Sequence, residues 1–207
     1  WEVPFPAAGG HARRAEREWG EGFHAVLEES VRLHMPEDGA RAAVLLSGGV
    51  DSSMIAALAK LGGSKTAYAI AFHDPKYKSY DESSDAREVA SHLGLELREV
   101  PYTGRQIDDL FLEVLSWSEC PTYLMDVQAT IPFYLLYRSI ASDEAAVALT
   151  GAGSDQILGG FLLQKLDRIR RICERHPRSR RHKALYDSAW PGPADPHAVY
   201  QKQREQL

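Results

Sequence analysis

Short apolar runs alternate along the chain with stretches whose apolar residues recur every three or four positions. Over residues 11–35, Phe23, Val26, Leu27, Val31 and Met35 keep mostly that spacing, which predicts an amphipathic helix with one apolar face. Residues 1–10, with two prolines and a glycine pair, read as an extended segment, and Pro36-Glu-Asp-Gly39 as a turn. A strand is then predicted at 42–46 and a helix over about 51–61. Strand 66–72 precedes a helix near 81–93, and strand 95–100 precedes a helix near 105–118. A further helix near 126–141 leads to strand 145–150, and another helix begins near Ser154. Strands alternating with helices predict an α/β fold, a doubly wound parallel sheet with flanking helices. Ligands of such sheets lie outside the carboxyl ends of the strands, where Ser47 and Gly151 fall.

The C-terminal part changes character. Residues 165–183 are rich in Lys and Arg, and their simplest reading is a solvated helix face ending before Pro177. A helical and loop tail over 163–207 is therefore expected to follow a domain over 41–162, with an N-terminal segment and helix over 1–40 before it. The tail looks unfinished, so a companion chain or a missing C-terminal half is expected.

Composition narrows the function. Hydrophobic content of 44% and charged content of 26% suit a soluble globular protein, and a net charge of −5 argues against non-specific nucleic-acid binding. No apolar run approaches the roughly 20 residues needed to span a bilayer. Two distant cysteines, Cys120 and Cys173, make no disulfide framework, so a reducing, cytoplasmic setting is expected.

The chemistry concentrates at two places. Residues 42–53 run Ala-Ala-Val-Leu-Leu-Ser-Gly-Gly-Val-Asp-Ser-Ser, an apolar strand entering a glycine turn and then a helix. Ser47, Ser52 and Ser53 offer hydroxyls, while Gly48 and Gly49 let the backbone approach an anion. The N–H groups of the helix that follows face the same point. The turn is not a Walker loop, since no Lys follows the glycines. Asp51 beside a phosphate site implies a cation, Mg²⁺. Residues 147–161 repeat the device: Val-Ala-Leu-Thr-Gly-Ala-Gly-Ser-Asp-Gln-Ile-Leu-Gly-Gly-Phe. Asp51 and Asp155 take equivalent places on two strand–turn–helix units, and both carboxylates could hold one Mg²⁺ if the two strands are neighbours. Each turn is also sound chemistry for a plain helix cap.

Together these motifs resemble the synthetase domain of asparagine synthetase and its relatives, within the ATP pyrophosphatases that carry a Ser-Gly-Gly-x-Asp-Ser loop. The resemblance runs from about Arg41 to Phe161 and includes Tyr68-Ala-Ile-Ala-Phe72, residues 80–90 and residues 129–138. It implies ATP and Mg²⁺ as cofactors and a carboxylate substrate adenylated with release of pyrophosphate, then captured by an amine or ammonia. It further implies Asp51 and Asp155 as Mg²⁺ ligands, with Ser47, Gly48, Gly49, Ser52 and Ser53 cradling pyrophosphate. Leu46, Ile70, Thr150 and Gly151 would line the nucleoside, the backbone at Ile70 reading adenine.

Three departures bear on activity. Ala152 stands where the family has an acid between the glycines of the second turn, and Gln156 replaces the acid after Asp155. The Arg-Val-Pro-Phe-like segment expected after Leu162 is not recognisable. There is no N-terminal Cys of a glutaminase domain. The expected function is therefore an amide-forming ligase acting on aspartate, a peptide or a specialised metabolite; the alternative is a non-catalytic or partner-dependent nucleotide-binding subunit.

Overall fold

The computed structural model describes residues 15–37, 39–117 and 124–161, together with 164, 167–169, 171 and 179, and no side chain at 76, 77 or 124–129. They belong to two compact units that divide between Gly151 and Ala152. Both cysteines, residues 1–10 and most of the basic tail lie outside the described residues.

In the first unit the order is α1 (Glu16–His34), β1 (Arg41–Leu45), α2 (Val50–Leu61), β2 (Thr66–Phe72), α3 (Ser83–Leu93), β3 (Glu96–Tyr102), α4 (Gly104–Trp117), α5 (Leu124–Ser142) and β4 (Ala145–Leu149). A 3₁₀ turn, Pro75–Tyr80, precedes α3, so that helix begins two residues later than its spacing predicts. The four strands are parallel in the order β3-β2-β1-β4. β1, β2 and β4 are short, nearly continuous apolar runs, whereas the edge strand β3, Glu-Leu-Arg-Glu-Val-Pro-Tyr, carries three charged residues and is largely exposed.

The two faces have different cores. On one, Val44, Leu46, Ala67, Ala69 and Leu149 meet Val31, Ala56, Leu58, Ala59, Ala86 and Ala90 of α1, α2 and α3. Six of these are alanines, which lets α2 and α3 lie close on the sheet. On the other, Ala43, Leu45, Tyr68, Val100 and Tyr102 meet Val114, Ile131, Leu135, Leu136 and Ile140 of α4 and α5. Helices on both faces make the sheet doubly wound, as the alternation predicts. The chain steps outward from β1 through β2 to β3, then returns to set β4 on the other side of β1, with Ala43 opposite Ala148 and Val44 opposite Leu149. The direction of winding reverses between β1 and β4, and the crevice at their carboxyl ends is where such sheets bind ligands.

The helix predicted over 11–35 appears as α1, but not with one apolar face. Leu27, Val31 and Met35 pack inward, whereas Phe23 and Val26 are exposed. At 3.6 residues per turn Val26 lies about 100° round the helix from Leu27, too far to share its contact with α2. No helix among the described residues is long and apolar enough to cross a membrane.

Candidate active site

The end of β1 builds the first half of the site. Leu46 is buried and continues the strand by donating its N–H to the Tyr68 carbonyl at 2.8 Å. The chain then leaves the sheet through Ser47, Gly48 and Gly49 and enters α2 directly. Gly48 holds φ +86°, and a Cβ there would stand 2.5 Å from Asp85 Cβ and 2.8 Å from Ala86 N. The loop therefore needs glycine twice over, for its left-handed backbone and for the close approach of the first turn of α3.

The serine hydroxyls close the loop on itself. Ser52 Oγ donates to the Gly49 carbonyl at 3.1 Å and accepts the Ser47 N–H at 3.2 Å. With that proton on Gly49, Ser52 accepts from the Ser47 hydroxyl 3.0 Å away. Ser53 Oγ also donates to the Gly49 carbonyl, at 2.7 Å. The N-cap of α2 is Gly49, which has no side chain to cap the helix, so the positive end of α2 opens at this turn. An anion arriving here meets backbone donors first; the Ser47 and Ser53 hydroxyls reach it by rotation about one bond.

The end of β4 abuts this turn. A Cβ on Gly151 would stand 2.8 Å from Ser52 N and 2.9 Å from the Asp51 carbonyl carbon, so glycine is what allows the second turn to lie against the start of α2. Asp51 sits in that first turn, half exposed. Thr150 lies between the end of β4 and Gly151.

Ile70 belongs to the same end of the sheet. Pairing of β2 with β1 ends at Leu45 opposite Tyr68, yet β2 runs on to Phe72. Backbone groups two residues apart on a strand point the same way. The Ile70 amide and carbonyl therefore face the space that β1 vacates at Ser47. One step further the Phe72 N–H, pointing the same way, is taken by Asp81 Oδ1 at 3.2 Å. The same oxygen accepts the Ser83 N–H at 3.3 Å. Burial works to raise the Asp81 carboxyl, but hydrogen bonds from Ser83 and from the Phe72 backbone outweigh it and hold it below the usual range. Asp81 thus ties the end of β2 to the start of α3, whose Asp85 and Ala86 buttress Gly48. The motif at 80–90 signals this buttress only as an Asp two residues before a helix-starting Ser; no role for it follows from sequence.

A groove of about 630 Å³ also opens from Gly48 and Ser53, between α2 and α3. Asp85 and Glu88 line it, with Ala57, Val89 and Leu93 as apolar walls.

In the second unit Asp155 lies in the first turn of α6 (Ser154–Leu158), after Gly153 at φ +100°. Among the described residues no group of three His, Cys, Asp or Glu side chains is placed to hold a metal by itself.

A model of the family described as asparagine synthase matches residues 22–206. The chain belongs to the asparagine synthase family. It is 31% identical over 176 residues to asparagine synthetase B [glutamine-hydrolyzing] of Escherichia coli (strain K12), covering 79% of this chain and 31% of that protein. It is 28% identical over 176 residues to the amidase chry2 of Gibberella zeae, covering 78% of this chain and 25% of that protein. The chain thus spans about a third or less of the length of these asparagine synthase relatives. Among solved structures it is similar to an NMN synthetase from Francisella tularensis at 19% identity, with a TM-score of 0.45 over 72% of this chain and 59% of that one. Every candidate residue from Leu46 to Asp155 lies inside the stretch that the asparagine synthase family model matches.

Proposed function

We propose that the chain is an ATP-dependent amide-forming ligase that adenylates a substrate carboxylate. The observation that carries this reading is the anion cradle at the switch point, where Gly48 and Gly151 bring two strand ends against the uncapped first turn of α2. A carboxylate oxygen of the substrate attacks the α-phosphorus of ATP. The bond from that phosphorus to the bridging oxygen breaks, pyrophosphate leaves, and an acyl-adenylate forms. An amine or ammonia then attacks the acyl carbon and AMP departs.

In this reading the turn Ser47-Gly48-Gly49 and the first N–H groups of α2, with Ser52 and Ser53, hold the departing pyrophosphate. Leu46, Thr150 and Gly151 line the nucleoside, and the outward-facing backbone of Ile70 reads the adenine edge. Asp51 and Asp155 are the Mg²⁺ ligands. The donor set suits that ion, which takes one or two carboxylates and completes its shell with phosphate oxygens and water. Bound there, Mg²⁺ supplies neutralisation of the charge that gathers on the leaving pyrophosphate. The chain's own part is positioning and fixed dipoles, which is most of what such transfers need.

Exchange of labelled pyrophosphate into ATP, measured with a panel of carboxylates from aspartate to peptides, tests the reaction. Exchange that depends on one carboxylate class is the expected result; ADP as the sole nucleotide product excludes adenylation. Ala152 and Gln156 favour a second reading, a partner-dependent nucleotide-binding subunit. That reading predicts Mg·ATP binding with no exchange until a companion chain is added.

A further inference from the structure

The glycine at position 160 is not explained by the backbone. Its φ lies outside the left-handed range that marks Gly153 at +100° and Gly159 at +76°. A positive φ is therefore not what calls for glycine here. What stands in the way of a side chain is Asp155. A Cβ at 160 would overlap Asp155 Oδ1, lie 2.7 Å from Asp155 Cγ and stand 3.1 Å from Asp155 Cα, so the severe overlap is with the carboxylate.

The local fold makes this contact unusual. Helix α6 ends on Gly159, and the N–H groups of Gly159 and Gly160 both donate to the Asp155 carbonyl at 3.0 Å. The Gly160 bond is the six-to-one bond of a Schellman motif and the Gly159 bond the five-to-one bond of an αL cap, and the wrap brings residue 160 over Asp155, which opens the last turn. That pairing is ordinarily an apolar contact that helps hold the helix end. Here it is glycine against a carboxylate, so the motif forgoes the contact it usually makes. Gln164 fastens the same turn, its Oε1 accepting the Phe161 N–H at 3.2 Å and its Nε2 donating to the Gln156 carbonyl at 3.2 Å.

We infer that Gly160 is a positioning residue: its missing side chain is the space that sets the orientation of the Asp155 carboxylate. The inference rests on the reading of Asp155 as a Mg²⁺ ligand for its functional consequence, but not for its steric content. A methyl group at 160 turns the carboxylate to another rotamer without changing its charge.

Two measurements on Gly160→Ala, Asp155→Ala and the double variant test it. The first is calorimetric titration with Mg·ATP. Gly160→Ala is expected to weaken binding about tenfold, the scale of one lost charge-assisted contact, and to add nothing in the Asp155→Ala background. Wild-type affinity in Gly160→Ala, with Asp155→Ala weakened, overturns the inference. Equal affinity for wild type and Asp155→Ala instead overturns the metal-ligand reading. The second measurement, the melting temperature, then decides the steric claim. Gly160→Ala is expected to lower it in wild type and to lower it less once Asp155 is Ala. The same change in both backgrounds overturns the inference.

Discussion

Asp51 is one carboxylate in the first turn of a helix that has no side-chain cap. There its charge favours the positive end of the helix, and on the proposed reading it supplies the hard oxygen that a divalent cation takes. Asp51→Asn keeps the shape and removes the charge. Calorimetry is expected to show Mg·ATP binding weakened about tenfold or more, since a charge-assisted contact is worth about 1.5–3 kcal/mol. Losing the charge at the helix start should lower the melting temperature only slightly, since such an exposed term is worth about 0.3–1 kcal/mol. Unaltered affinity would remove Asp51 from the site. The spacing Ser-Gly-Gly-Val-Asp-Ser-Ser is enough to single this residue out. Asp81 and Asp85 are not legible in that way, because their work is done by backbone approach: one joins the end of β2 to the start of α3, the other lies against Gly48.

At the level of elements, the ends of the strands opposite the site are tied by charge. Asp143, between α5 and β4, accepts the Tyr68 hydroxyl at 2.5 Å and Arg98 Nη1 at 2.5 Å, joining three strands. The Tyr68 hydrogen bond, then the charge of Arg98, hold the Asp143 carboxyl below its usual range against the opposing effect of burial. Burial, then the same hydrogen bond, push the Tyr68 phenol up to about 12. A depressed carboxyl contributes stability that is present above about pH 4 and is lost as pH falls through its folded value. A raised phenol contributes stability that is present below about pH 10 and is lost as pH rises through its folded value. The melting temperature should therefore be level between about pH 5 and 9 and fall on both sides. Asp143→Asn should lower the level stretch and soften both limbs. A variant whose melting profile overlays that of wild type at every pH would show that this cluster does not couple to folding.

For the molecule as a whole, the proposed function turns on the second glycine turn. Ala152 offers a methyl group where the family's acid could accept a proton or pair with a lysine. General acid–base help is worth about a hundredfold to ten-thousandfold. Asparagine formation from aspartate by the isolated chain, with saturating ammonia and Mg·ATP, is expected to be negligible. Robust turnover, on the order of 1 s⁻¹ as for an ordinary enzyme, would overturn this. Local pattern was sufficient for much of the architecture. Apolar runs mark β1, β2 and β4 because both faces of a parallel sheet demand them, and two glycine turns followed by Asp mark the places proposed for an anion and a cation. Other features belong to the tertiary structure alone. Whether β4 lies beside β1 depends on which way the chain crosses the sheet, and no residue in either strand encodes that. Which face of α1 is buried depends on where α2 lies. That Ile70 turns free backbone toward the site follows from β1 stopping short of β2, and that Gly160 is needed at all follows from a helix end folding back on Asp155: both are set by where the chain turns, and only the folded chain brings those atoms together.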